Sequence, residues 1–197
     1  MANPRGKKAR KSAKAIDKWK MKKTFEVIAP DIFNNVSVGP IVANEAKDLV
    51  GRVVETTLSK LVNSNQYHIK IKLTVEGVSG FDASTKVREV ELSRTYISSQ
   101  VSEGVDIIDF IFPVVTNNKE KFRIKLAIFT RRKIHDAQKR QLRKLALKIV
   151  SDEVSKKSGD QLIQEVVFGK LGSLIFNKGK KVVPLGRVEV RKLELVG

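Results

Sequence analysis

The sequence predicts an α+β fold: an antiparallel β-barrel-like domain followed by two helices and a final strand, preceded by a disordered basic tail. Apolar and polar residues alternate with a period of two in several segments before residue 130, which is typical of half-buried strands. The period then changes to that of amphipathic helices, and strands followed by helices are the order expected of an α+β domain. Hydrophobic residues make up 41% of the 197 residues, enough for one core.

The first 23 residues form the predicted tail. Ten of them are Lys or Arg and one is acidic, so they carry a net charge of +9, half of the +18 of the whole chain. They have no apolar periodicity and their like charges repel, so we expect a disordered segment. The chain is therefore divided into a basic tail, residues 1–23, and a single α+β domain, residues 24–197.

The first strands of the domain are predicted from short apolar patterns and turn residues. Residues 24–28 form a short strand that Pro30 ends. The pair Gly39-Pro40 predicts a turn. Residues 51–58 are rich in β-branched side chains, which favours another strand.

The clearest strand covers residues 67–75, where apolar and polar side chains alternate without interruption. Residues 86–94 predict a second alternating strand, and residues 95–100 predict one or two helical turns. Residues 105–116 and 121–130 predict two arms of an antiparallel hairpin.

The helical part follows residue 130. Apolar residues lie on one side of a helical wheel and basic residues on the other, which predicts an amphipathic helix of about six turns. The apolar set is Ile134, Leu142, Leu145, Ala146, Ile149 and Val154, and the basic set is Lys133, Arg140, Arg143 and Lys144.

Three further features complete the predicted fold. Ser158-Gly159 is expected to end the amphipathic helix. A second helix is expected over residues 162–175, weakened by Gly169 and Gly172. A last strand covers residues 188–195, and its alternation slips at Arg191-Lys192, which predicts a β-bulge.

Positive charge is concentrated in three segments. Besides the tail, residues 130–148 hold eight bases and one acid, and residues 178–192 hold six bases and one acid, while the rest of the chain has a net charge of −3. Such segregation favours a polyanionic partner. A solvated surface, an anionic lipid surface or a nuclear address remain alternatives for a single basic segment.

Nucleic acid is the partner that three basic segments favour, because long cationic side chains contact phosphates without reading sequence. Trp19 lies among lysines and either stacks on an unpaired base or closes over the barrel. The candidate RNA-binding residues are Lys7, Lys8, Arg10, Lys11, Lys14, Lys18, Trp19, Lys20, Lys22, Lys23, Arg131, Arg132, Lys133, Lys139, Arg140, Arg143, Lys144, Lys180, Lys181, Arg191 and Lys192.

Signals for catalysis or cofactors are weak. Cysteine is absent and only two histidines occur, which excludes thiolate chemistry and disfavours a histidine metal site. Asp106 and Asp109 are spaced to point to opposite faces of a strand, and His68 lies on the polar side of its strand. We expect neither an enzyme, a cofactor, a metal nor a small-molecule substrate, and no membrane partner since no long apolar run occurs.

Several short groups of residues occur in one order along the chain after the tail begins. They are Asp17-Lys18-Trp19, Val27, Ala29-Pro30, Phe33, residues 49–55, Leu58, residues 91–94, Thr130-Arg131-Arg132, Val183-Pro184-Leu185, Val188 and Val190-Arg191-Lys192. In this order they resemble the archaeal and eukaryotic small-subunit ribosomal protein family called three-A-e. Because the chain ends at Gly197, it resembles the shorter archaeal type.

The resemblance implies a non-enzymatic structural constituent of the small ribosomal subunit, built on a β-barrel with helices. It implies a place on the platform, near the mRNA exit and the 3′ end of the small-subunit RNA. The partners implied are small-subunit rRNA, neighbouring small-subunit ribosomal proteins and mRNA near the exit, with a cytoplasmic location in the ribosome. The alternative is a free RNA-processing or RNA-chaperone protein that binds many RNAs.

Overall fold

The structure is a computed structural model that describes Trp19 and residues 22–196. It confirms the α+β class. The strands are β1 (Lys23–Ile28), β2 (Ser37–Ala43), β3 (Val53–Thr57), β4 (Ile69–Ser79), β5 (Asp82–Leu92), β6 (Ile107–Val115), β7 (Lys121–Thr130) and β8 (Leu185–Val196). The helices are α1 (Leu58–Val62), α2 (Arg94–Ser99), α3 (Asp136–Val154), α4 (Gly159–Val167) and α5 (Lys170–Gly179).

The eight strands form one sheet in which β5 is the central member. β5 pairs with β4 along its length, while its other edge pairs with β1 near its start and with β8 near its end. All pairings are antiparallel except the short β1–β5 pairing. Among the described residues, β2, β3 and β6 each pair on one side only, so the barrel-like sheet is not a closed ring of hydrogen bonds.

Apolar side chains form two clusters. The larger cluster consists of side chains from strands β4, β5, β6, β7 and β8 and from helices α1, α3, α4 and α5. It includes the fully buried Ile71, Ile124 and Leu142. The smaller lies between the β1–β2 hairpin and the β4–β5 turn, and its buried members include Phe25 and Leu49. The strand alternation predicted for residues 67–75 is confirmed from Ile69 onward.

The predicted turn at Gly39-Pro40 is wrong, because both residues lie inside β2. Pro40 pairs with Glu26 of β1, and β2 has no second neighbour among residues 22–196. Proline cannot donate a hydrogen bond, so an edge strand is the place in a sheet where it is tolerated. Gly39 has φ +141°, a conformation that glycine allows, next to the point where Val38 bulges out of the β1–β2 pairing.

The predicted helix ends need two corrections. Ser158 does not end the first helix: α3 stops at Val154, and the Ser158 side chain accepts a hydrogen bond from the Gln161 N–H at the start of α4. The expected single second helix is two helices, α4 and α5. Gly169 separates them with a left-handed φ of +69°, which the helical conformation does not allow.

The predicted bulge in the last strand is confirmed. Lys125 of β7 pairs with Lys192, whereas the next residue, Leu126, pairs with Val190, so Arg191 is the extra residue. The β6–β7 hairpin and the helical turns near residue 95 are also confirmed.

Candidate nucleic-acid interface

Helix α3 carries the largest run of exposed positive charge in the domain. One side of the helix is buried in the main core through Leu142, Ala146, Ile149, Val150 and Val154. Each large apolar side chain buried there contributes about 1.5–3 kcal/mol, which holds the helix against the sheet. The opposite side exposes Arg140, Arg143 and Lys144 to solvent.

The start of α3 is fixed by Asp106, which lies just before β6. Its Oδ2 accepts a hydrogen bond from the Ile134 N–H at 3.0 Å and pairs with Lys139 Nζ at 3.1 Å. The Ile134 hydrogen bond, followed by that of Lys139, lowers the pKa of Asp106. Asp106 is therefore ionised and committed to positioning the helix.

The three cations before α3 are positioned by a buried hydroxyl. Thr130, which is 1% exposed, accepts a hydrogen bond from the Asp106 N–H at 3.0 Å, and its hydroxyl donates to the Arg132 carbonyl at 2.7 Å. Arg131, Arg132 and Lys133 are all exposed. Their backbone is thus held while their side chains reach solvent.

The end of α5 brings a second basic segment to the same place. The Arg131 N–H donates to the Pro184 carbonyl at 3.1 Å. Gly179 packs closely on Leu185, whose Cδ1 would lie 2.7 Å from a Cβ at Gly179, and the same Cβ would be in ordinary contact with α3, 3.5 Å from Leu142 Cδ2. The exposed Lys180 and Lys181 directly follow Gly179 in the chain.

These contacts unite two of the three basic segments on one surface, which we call the helix surface. None of its members has an ion-pair partner among residues 22–196. The members are Arg131, Arg132, Lys133, Arg140, Arg143, Lys144, Lys180 and Lys181.

Three other predicted RNA-binding residues have acidic partners. Arg191 Nη1 lies 3.2 Å from Asp109 Oδ2, and Lys192 Nζ lies 2.9 Å from Glu89 Oε1. Lys139 is the third, through Asp106. The segment 178–192 is therefore divided, because its first lysines lie on the helix surface and its last two cations pair with acids of the sheet.

Other strand cations follow the same paired pattern, and we call the whole set the strand ion pairs. Its members are Lys70–Glu55 at 2.8 Å, Lys72–Glu89 at 2.9 Å, Lys86–Glu120 at 2.8 Å, Lys192–Glu89 at 2.9 Å and Arg191–Asp109 at 3.2 Å. These cations are largely neutralised within the protein, so charge density in the sequence does not by itself mark an interface.

Two exposed lysines near the helix surface were missed by the sequence prediction. Lys148 lies one turn beyond Lys144 on α3, and Lys178 lies in the last turn of α5. The i, i+4 spacing of Lys144 and Lys148 is the signal that could have identified the first.

The tail residues of the prediction lie mostly outside the described part of the chain. These residues are Lys7, Lys8, Arg10, Lys11, Lys14, Lys18 and Lys20, and the predicted disorder of the tail lies there too. Of the others, Trp19 is 69% exposed, and Lys22 Nζ lies 3.8 Å from its ring centroid. The Trp19 ring is thus placed outside the core, and Lys23 begins β1.

No helix in the part of the chain that the structure describes is long and apolar enough to cross a membrane.

Comparison with known proteins agrees with the resemblance seen in the sequence. The model of the Ribosomal S3Ae family matches residues 10–197. A protein of Archaeoglobus fulgidus named small ribosomal subunit protein eS1 is 39% identical over 190 residues, covering 95% of this chain and 90% of the relative. Proteins of the same name from Staphylothermus marinus and Sulfurisphaera tokodaii are 36% and 38% identical, covering 95% and 91% of this chain and 89% and 94% of the relatives. The chain therefore belongs to the Ribosomal S3Ae family of structural, non-enzymatic ribosomal proteins.

Proposed function

We propose that this protein is a structural constituent of the small ribosomal subunit that binds rRNA through its phosphate backbone. One observation carries the binding mode: the eight exposed cations of the helix surface have no acidic partners among residues 22–196, whereas five cations of the strands are paired with acids. Uncompensated charge on a rigid helix attracts a polyanion and holds it in one orientation.

The helix surface suits backbone recognition rather than base reading. Arginine can donate two parallel hydrogen bonds to one phosphate, while lysine acts as a point charge. Arg143 and Lys144 each lie about one turn beyond Arg140 on α3, so the three side chains can contact neighbouring phosphates of one strand. The buried side of α3 keeps them at fixed spacing, and each phosphate they neutralise releases counterions.

Membership of the family supports a proposal for the place of the protein within the subunit. We assign the protein to the platform of the small subunit in the cytoplasmic ribosome, near the mRNA exit. There it would contact neighbouring small-subunit proteins and the mRNA. We also propose that the basic tail, residues 1–23, binds RNA, because it carries half of the net positive charge of the chain. A density map of the small subunit tests this placement, and finding the helix surface directed to bulk solvent would contradict it.

The binding mode is tested by titrating the full chain with small-subunit rRNA at several salt concentrations. The variant Arg140→Gln/Arg143→Gln/Lys144→Gln should weaken binding roughly 10- to 100-fold at low salt. It should also reduce the slope of log affinity against log salt by about 2 to 3, since each phosphate contact contributes about 0.7 to 0.9.

The matched control is Lys70→Gln/Arg123→Gln/Arg191→Gln, which removes the same charge from cations that have acidic partners. We expect it to leave the salt slope nearly unchanged. Equal losses for the two variants would contradict the proposal, because net charge alone would then explain the binding.

A further inference from the structure

A groove runs between the α4–α5 junction and strand β8. It consists of two adjoining cavities of about 310 Å³ and 420 Å³. Both are lined by Phe168, Gly169, Gly172, Arg187 and Glu189. A site of this size is at the small end of ligand pockets, and it combines an apolar wall with a few convergent polar groups.

The inner cavity is lined by a pair of stacked aromatic rings, and two charged side chains hydrogen-bond to one of them. The rings of His68 and Tyr96 stack with centroids 4.1 Å apart. Arg187 Nη1 donates to the Tyr96 hydroxyl at 2.6 Å, and that hydroxyl donates to Glu189 Oε1 at 3.3 Å. Because each group is held by another, the aromatic, cationic and anionic parts of the cavity are fixed relative to one another.

Phe168 stands at the mouth of the groove and is 57% exposed. It lies at the end of α4, where the left-handed backbone of Gly169 turns the chain into α5. The floor of the groove is formed by close backbone contact, since a Cβ at Gly172 would lie 2.6 Å from the Val188 carbonyl oxygen. An exposed flat ring above such a groove is suited to stacking on another flat ring.

Glu189 is a partly buried carboxylate, with 27% of its side chain exposed, and few hydrogen-bond donors surround it. Burial raises its pKa, although Arg187 Nε lies 3.8 Å from its Oε1. Its Oε2 takes no part in the contacts with Tyr96 and Arg187. A ligand that offers N–H donors would therefore complete the hydrogen bonding of this carboxylate.

The outer cavity of the groove lies next to the helix surface. Gly186 lines the outer cavity, and a Cβ at Gly186 would lie 3.8 Å from Arg131 Cγ. An RNA strand held by Arg131 and its neighbours would therefore lie close to the groove, within reach of one of its bases.

We propose that this groove binds one unpaired nucleobase of the RNA, with guanine preferred. The base stacks on the exposed Phe168 ring, and the two adjacent N–H donors on the edge of guanine face Glu189. Adenine has no such donor pair on that edge, and an aliphatic protein side chain would leave both Glu189 and Arg187 without new partners. The inference rests on the proposed RNA binding, since the helix surface brings the strand to the groove.

The test uses synthetic RNA strands of nine nucleotides in which the outer eight nucleotides are abasic. The central nucleotide either is abasic too or carries guanine, adenine, cytosine or uracil. Binding of the full chain is measured by fluorescence anisotropy at fixed low salt. Guanine should raise the affinity over the bare backbone by roughly 5- to 150-fold, the range for one stacked base.

Two variants assign the effect to the groove. Phe168→Ala should remove most of the gain from a base and leave binding of the bare backbone unchanged. Glu189→Gln should reduce the preference for guanine over adenine. Leu147→Ala removes another exposed apolar side chain, on α3, and should change neither.

Equal affinity of the native chain for the bare and the guanine-bearing backbone would overturn the inference. A gain in affinity from the base that Phe168→Ala leaves intact would also overturn it. If Phe168→Ala reduced association with the ribosome while the base had no effect on affinity, the groove would bind a protein instead, and the inference would again be overturned. Failure of the proposed function is a different result: the bare backbone would then bind without salt dependence.

Discussion

The helix surface and the strand ion pairs use the same kinds of side chain in opposite ways. On the helix surface, Arg140, Arg143 and Lys144 have no acidic partner in the described part of the chain. On the sheet, Lys72 and Lys192 both lie 2.9 Å from one oxygen of Glu89. The first set can be neutralised by a ligand, whereas the second is already neutralised within the fold.

Pairing with acids, rather than the number of bases, therefore separates a binding surface from a structural one. Glu89 shows the structural role: burial opposes its ionisation, yet hydrogen bonds from Lys72 and Lys192 outweigh burial and lower its pKa. Glu189, on the next strand of the sheet, has one cationic neighbour among the described residues, Arg187, and a hydrogen bond from the Tyr96 hydroxyl, and burial outweighs both and raises its pKa. Two glutamates on adjacent strands thus respond oppositely because their numbers of cationic partners differ.

The largest expected effect on stability belongs to Glu89. Glu89→Gln removes the charge that Lys72 and Lys192 share, and we expect it to lower the free energy of unfolding at pH 7 by about 2–3 kcal/mol. Because the folded-state pKa of Glu89 is lowered, its contribution exists above the ordinary glutamate pKa and is lost as pH falls through the lowered value. Urea denaturation at pH 7 and in acid measures both.

The control for Glu89 is Glu55→Gln, since Glu55 and Lys70 form an exposed pair. It should cost at most about 1 kcal/mol at pH 7. If Glu55→Gln lowered the free energy of unfolding as much as Glu89→Gln does, the stabilisation from ion pairs on the sheet would not depend on burial. The greater importance of the buried pair would then be contradicted.

An intermediate effect is expected at Thr130, which positions the cations before α3. Thr130→Val leaves the Asp106 N–H without its acceptor and should cost about 1–2 kcal/mol of stability. It should also weaken rRNA binding, because Arg131 and Arg132 lose their fixed backbone.

The control variant Thr116→Val separates the loss of stability from the loss of rRNA affinity. Thr116 is a buried threonine whose hydroxyl donates to the Glu120 carbonyl at 3.3 Å, in the hairpin between β6 and β7. It should lower stability without changing the rRNA affinity measured by anisotropy. Similar losses of affinity for both variants would mean that Thr130 acts through stability alone.

The smallest expected effect is a gain. The folded-state pKa of Glu189 is raised, so its favourable contribution is present at acid pH and is lost as pH rises through the raised value. Glu189→Gln should therefore stabilise the protein at pH 7 by a few tenths of a kcal/mol, with no gain below about pH 4. Thermal unfolding at the two pH values checks the sign, and a loss at pH 7 would show that Arg187 outweighs burial.

Features encoded by local periodicity were predictable from the sequence. The alternation of β4, the apolar side of α3 and the bulge at Arg191 each depend on neighbouring residues, so a period of 2 or 3.6 reveals them. The sequence shows Gly169 as a residue that weakens the predicted second helix. The prediction of a single helix requires a helical conformation at Gly169, and its positive φ excludes that conformation.

Features that join distant residues were not predictable. The three partners of β5 come from three different parts of the chain. The partner of Arg191 is Asp109, 82 positions earlier, so nothing local distinguishes this paired arginine from the exposed Arg143. The groove was missed for the same reason, because Tyr96 and Arg187 are 91 positions apart.

The extra residue at Arg191 sets how the last strand can vary in length. Before it, Val188 and Val190 turn inward, and after it Leu193 and Leu195 do, so the bulge shifts the inward positions from even to odd numbers. Deleting Arg191 would remove the bulge and restore a continuous two-residue alternation, in which Val188, Val190, Leu193 and Leu195 all stay on the inward side. Loss of Lys192 as well would turn Leu193 outward and Glu194 toward the core, so relatives with a shorter version of this strand should lack one residue at the bulge rather than two.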